Sequence, residues 1–112
     1  MTPIRFLALA TASALSLGAH AAGDPAAGEK KNYLCQGCHG IPGWKTAFPE
    51  LYHVPKLGGQ HPQYLVAALK EYKKGGRDHP TMRAIAADLS DQDMEDLAAF
   101  YGSKPATTAA KK

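Results

Sequence analysis

The segment Cys35-Gln36-Gly37-Cys38-His39 holds both cysteines of the chain and sets the terms on which the remainder can fold. A disulfide between positions three apart closes too small a loop to restrain an unfolded chain much. Two thiols and an imidazole in five residues instead offer a redox pair, half of a metal site, or an anchor for a larger group.

The need for such a staple follows from the length of the folding unit. The first residues carry one charge, Arg5, then an apolar run from Phe6 to Leu17, then Ala19-His20-Ala21-Ala22. That is the pattern of a secretory leader, with residues 1–22 expected to be removed. A membrane span would need about 20 uninterrupted apolar residues, and Thr11, Ser13 and Ser16 break a shorter run. What remains is one domain over residues 23–103 and a small, polar, frayed tail over 104–112. A domain of this size buries only about 60–65% of its unfolded surface, so a large apolar cofactor would supply core that the chain lacks. Without Arg5, 12 basic residues stand against 10 acidic ones, a formal charge of +2. Neither a nucleic-acid protein nor a membrane binder is indicated.

Helical signals dominate. Asp24-Pro25 reads as an N-cap and first helical position, opening a helix to about Leu34 that runs into Cys35. From Gly40 to Gly59, six prolines and glycines beyond Gly40 itself (Pro42, Gly43, Pro49, Pro55, Gly58, Gly59) mark a long ordered loop with no convincing strand. A second helix starts at Pro62, places Leu65, Ala68, Leu69 and Tyr72 on one face, and stops at Gly75-Gly76. A turn around Pro80 precedes a short helix through Ile85 and Leu89. Ser90 with Asp93 is a capping-box start for a last helix carrying Met94, Leu97, Ala98 and Tyr101, ended by Gly102. The class is all-α.

Chemistry narrows the role of Cys35 and Cys38. Thioredoxin-like reactivity needs the pair on a strand-to-helix turn, and no strand precedes it here. Structural zinc needs four ligands, and no second cysteine pair exists; His53 and His61 lie eight apart in a Pro/Gly-rich stretch. Cys-x-x-Cys-His is the pattern of covalent haem c attachment, in which two thiols form thioethers with the vinyl groups and the histidine reaches the iron. Attachment of this kind follows export in bacteria, in agreement with the leader.

Over residues 24–102 the chain resembles class I cytochromes c, especially short bacterial monohaem proteins related to cytochromes c4 and c553. The segments that carry the resemblance are CQGCHG, PKLGGQHPQYLVAALKEYKKGGR, HPTMRAIAADLS and DMEDLAAFY. It implies a small cytochrome c fold of four to five helices around one covalent haem. Met82, 43 positions after His39, stands at the family's sixth-ligand position in HPTMRAIA. His39 and Met82 are then the axial pair, with His79 the rival to Met82. Pro55 matches the residue whose carbonyl accepts a hydrogen bond from the proximal histidine; otherwise it shapes a turn.

Leu57, Tyr64, Leu65, Ile85 and Leu97 are candidates to line the haem. Arg77 suits a propionate. Trp44 would pack on a haem edge or cover a loop, and Gly58 and Gly59 would admit backbone close to the ring or serve a turn. Gly28 is expected to let the first helix cross the last near Phe100-Tyr101.

With both axial positions filled, the expected function is periplasmic one-electron transfer by a monomer, not catalysis. Its partners would be a reductase or dehydrogenase as donor and a terminal oxidase or reductase as acceptor. Lys70, Lys73, Lys74, Arg77 and Arg83 form a basic run that could steer docking, followed by the acidic run Asp88, Asp91, Asp93, Glu95 and Asp96; both are otherwise solvated helix faces. A haem protein with an open sixth site, or a subunit of a larger oxidoreductase, are the alternatives.

Overall fold

The computed structural model describes residues 22–47 and 51–106; residues 1–21 of the expected leader and 107–112 of the expected tail lie outside that range. Seven elements follow one another: α1 (Pro25–Lys31), α2 (Tyr33–His39), β1 (Lys45–Thr46), β2 (Tyr52–His53), α3 (Pro62–Lys74), α4 (Pro80–Ala87) and α5 (Asp91–Gly102). None of the described helices is long and apolar enough to cross a membrane.

Local chemistry starts and stops most of these helices as expected. The Asp24 side chain accepts from the Ala26 amide at 2.9 Å, and Pro25, which has no amide to leave unpaired, opens α1. Ser90 and Asp93 form a reciprocal capping box at the start of α5, with Asp93 N–H donating to Ser90 Oγ at 3.1 Å and Ser90 N–H to Asp93 Oδ2 at 2.9 Å. Gly75 ends α3 at φ 86°, a left-handed conformation that glycine adopts without a Cβ clash.

Four local expectations are corrected. The helix expected over Pro25–Leu34 is two helices, separated at Asn32, whose amide reaches back to Glu29 in a 3₁₀-type bond of 3.3 Å. The Asn32 side chain is engaged from outside the helix by the Tyr101 hydroxyl of α5. Pro80 is the first residue of α4, not part of a turn ahead of it, and α4 ends at Ala87, short of Leu89. The loop from Gly40 to Gly59 contains a two-stranded antiparallel hairpin, pairing Lys45 with His53 and Thr46 with Tyr52. Two residues per strand are too few to show a period.

Core packing concentrates on α5. Met94, Leu97, Ala98, Phe100 and Tyr101 are buried, and Leu65 and Val66 of α3 pack against the last three. Gly28 lets α1 cross this helix: a Cβ there would overlap the Asp96 carbonyl and stand 2.7 Å from Phe100 Cβ. The expected crossing therefore involves Phe100 directly, while Tyr101 is bonded to Asn32.

Asp96 is itself buried, although its place in an acidic run suggested a solvated face. Lys31 of α1 bonds Asp96 at 2.6 Å and Asp93 at 2.7 Å, and Asp96 Oδ1 accepts from the Asp24 amide and from Gln92 Nε2. A buried carboxylate needs such partners to offset its desolvation.

Candidate cofactor site

The described residues line a cavity of about 340 Å³, to which α5 contributes Leu97, Ala98 and Tyr101. That lies in the range of sites for small molecules and cofactors, about 300–1,000 Å³. Leu34, Leu57, Leu65, Leu69, Ile85 and Leu97 supply apolar wall, and Cys35, Cys38, His39 and Met82 all open onto it. Of the residues singled out in the sequence, Pro55, Tyr64 and Arg77 line it as well.

Cys35 and Cys38 lie within α2, not after a helix, and both are unpaired thiols. Cys35 is the third residue of α2, close to the helix N-terminus. Burial nonetheless pushes its thiol pKa up, against the lowering effect of the nearby Tyr101 hydroxyl. A raised pKa is the reverse of what an activated redox cysteine needs.

His39 closes α2. Its Nδ1 lies 2.7 Å from the Pro55 carbonyl oxygen. A carbonyl only accepts, so Nδ1 carries the proton and Nε2 is left with a free lone pair, the form suited to binding a metal. Met82, half-buried, is the third residue of α4. Helix formation after Pro80 thus presents a thioether on the cavity wall, far along the chain from His39.

Arg77 Nη1 lies 3.4 Å from the Tyr64 hydroxyl, and the guanidinium sits 4.8 Å from the centre of the Tyr72 ring. Trp44 is not in the cavity wall and is 42% exposed; its backbone carbonyl accepts from the Val54 amide at 3.0 Å beside the hairpin. Gly58 and Gly59 are also outside the wall; Gly59 has φ 78° and its amide donates to the Tyr101 carbonyl, a turn role. Thr46, Tyr52, Val54, Tyr72 and Tyr101 line the cavity without having been expected there, and His79, the rival to Met82, lines it too. The hairpin and the chain just after it bring the first three into place, and two-residue strands leave no periodic signal.

The wall fits a large, mainly apolar group with polar substituents. Thr46 Oγ1 is the one buried side-chain nitrogen or oxygen among the described residues that lacks a hydrogen-bond partner. A polar edge on an occupant would satisfy it, since such orphaned groups are rare in a finished fold.

The cytochrome c family model matches residues 25–103, and the chain belongs to that family. Within it the relation is to cytochrome c4. Cytochrome c4 of Pseudomonas aeruginosa is 42% identical over 86 residues, which cover 77% of this chain and 41% of that protein. Cytochrome c-554(548) of Halomonas halodenitrificans is also 42% identical over 86 residues, covering 74% of this chain and 99% of that one. Among solved structures, reduced recombinant cytochrome c4 from Pseudomonas stutzeri matches with a TM-score of 0.54 at 29% identity, over 74% of this chain and 50% of that chain. This chain spans under half the length of the curated cytochrome c4 relatives, 41–46% of each. The cofactor is covalently bound haem c, and the fold is that of a small cytochrome c.

Proposed function

We propose that the protein is an exported one-electron carrier whose haem is attached through Cys35 and Cys38 and held at the iron by His39 and Met82. The observation that carries this reading is the convergence of those four side chains on one apolar cavity. When bound, the haem supplies a one-electron ferric/ferrous couple.

The chain's own residues set the conditions for that couple. The Pro55 carbonyl orients the His39 imidazole and, by drawing on its Nδ1 proton, raises the basicity of Nε2. The Met82 thioether as second protein ligand would favour a higher potential and leave no coordination position for oxygen or peroxide. Leu57, Leu65, Ile85 and Leu97 exclude water, which favours the less charged ferrous state. Arg77, held by Tyr64 and Tyr72, offers a cation to a haem carboxylate.

Transfer to and from partners then needs only brief docking. Lys70, Lys73, Lys74 and Arg83 give α3 and α4 a basic surface suited to an acidic donor or acceptor, such as a reductase domain or a terminal oxidase. The tests are a pyridine haemochrome assay and absorption spectra of the exported protein. Two thioethers, a low-spin iron and a far-red sulfur-to-ferric-iron band lost in Met82→Ala are expected. A high-spin iron that binds carbon monoxide readily would overturn the carrier reading.

A further inference from the structure

We propose that His79 is a positioning residue for Met82, holding the thioether on the cavity wall against competing ligands; this rests on the His39/Met82 ligation proposed above. His79 has an extended backbone, φ −155° and ψ 105°, and is the N-cap of α4. Its Nδ1 accepts from the Met82 amide at 3.3 Å. Its own carbonyl accepts from the Arg83 amide at 2.9 Å. The backbone of Met82 is therefore gripped on both sides by one residue.

The first turn of a helix leaves amides without partners inside the helix. In α4 the first position is Pro80, which has no amide, so the cap is aimed at the third position, which is Met82. Serine, threonine, aspartate and asparagine usually do this work. A histidine here does a second thing that none of them can. Its ring meets Tyr52 edge-on, with centroids 5.6 Å apart and planes at 62°.

Tyr52 belongs to the hairpin, pairs with Thr46, and lines the same cavity. The hairpin is thus linked through Tyr52 and His79 to the segment that carries the thioether. The imidazole acts as a strut between two otherwise separate walls. Local opening of the Met82 turn, the step that lets another ligand reach the iron, requires the cap bond to break.

The experiment is an imidazole titration of the ferric holoprotein, followed at the far-red sulfur-to-iron band. His79→Ala removes both cap and strut, and imidazole should displace the band at about fivefold lower concentration, the effect of an ordinary N-cap loss. His79→Asn restores the acceptor but not the ring contact with Tyr52, and should recover most but not all of the shift. His79→Gln, too long to cap, should not; if the alanine variant fails to fold, this pair decides.

An unchanged midpoint in His79→Ala, or equal shifts in His79→Asn and His79→Gln, overturns the proposal. A native protein with no far-red band, or a band that survives in Met82→Ala, is a different result. It removes the ligation reading and this inference with it.

Discussion

Where α1 crosses α5, the chain satisfies itself: Gly28 lets the backbones meet, and Lys31, Asp24 and Gln92 answer the buried Asp96 carboxylate. Around the cavity the same chain does not. There six leucine and isoleucine side chains line the cavity, the two cysteines form no disulfide, and Thr46 Oγ1 is orphaned. Both regions share α5, which presents Asp96 to one side and Leu97 to the other. Neighbouring residues on one helix thus serve opposite purposes. One side closes a domain by protein contacts, and the other reserves its apolar surface for a group the chain cannot supply.

The largest effect should come from withholding that group. A Cys35→Ala/Cys38→Ala chain without haem should lose its fixed near-UV circular dichroism and its cooperative unfolding, because so small a domain has little core to spare. A haem-free chain that still unfolds cooperatively at an unchanged midpoint would show the cavity half to be self-sufficient.

Next in size is Gly28→Ala on the closed side. The added Cβ meets backbone at the Asp96 carbonyl, and only a shift of the helices relieves it. Urea unfolding of the holoprotein should show a loss of about 3 kcal/mol, the upper range for overpacking. Gly37→Ala, in α2 with nothing within 4 Å, is the control and should be neutral or gain up to about 1 kcal/mol.

Asp96→Asn should cost about 2 kcal/mol at pH 7, less than a fully buried ion pair because Lys31 is 35% exposed. Its pH dependence identifies the cause. Lys31 first, and then Ser90, hold the Asp93 carboxyl down to about 2; Lys31 and then the Asp24 amide lower that of Asp96. An unfolded aspartate titrates near 3.9. The clip therefore contributes fully above about pH 4 and is lost as the pH falls through about 2. Lys31 is raised above 10.5 by the same two carboxylates, so its share is complete below that value and lost only as the pH rises through its folded pKa. The gap between native and Asp96→Asn stabilities should narrow as the pH falls from about 4 through the lowered folded pKa of Asp96; a constant gap would mean that packing, not charge, is at stake.

Smallest is Ser90→Ala, which breaks one half of the capping box at an exposed helix start and should cost about 1 kcal/mol. A loss of several kcal/mol would mean that the entry to α5 is coupled to the Lys31 clip.

Much of the fold and site was legible because its causes are local. Asp24-Pro25, Ser90 with Asp93, and Gly75 act on backbone groups within a few residues of themselves, so their effect can be read without knowing the neighbours. Cys35, Cys38 and His39 are adjacent for a chemical reason, and the apolar period of α3 and α5 placed Leu65 and Leu97 on inward faces. Asn32 was misread because the group that engages its side chain, Tyr101, is 69 residues away. Asp96 was misread because a carboxylate looks the same in sequence whether it faces water or a lysine from another helix.

What the sequence by itself determined is the inventory and the periodicity: an all-α class, the Cys-x-x-Cys-His segment, and a methionine after a proline. Which residues share a wall was decided only by tertiary structure. The break at Asn32, the hairpin that brings Tyr52 to His79, and the crossing at Gly28 all depend on contacts between segments far apart in the chain. Such contacts are set by packing and by the pairing of buried polar groups, which act at a distance of ångströms and carry no signature in residue order.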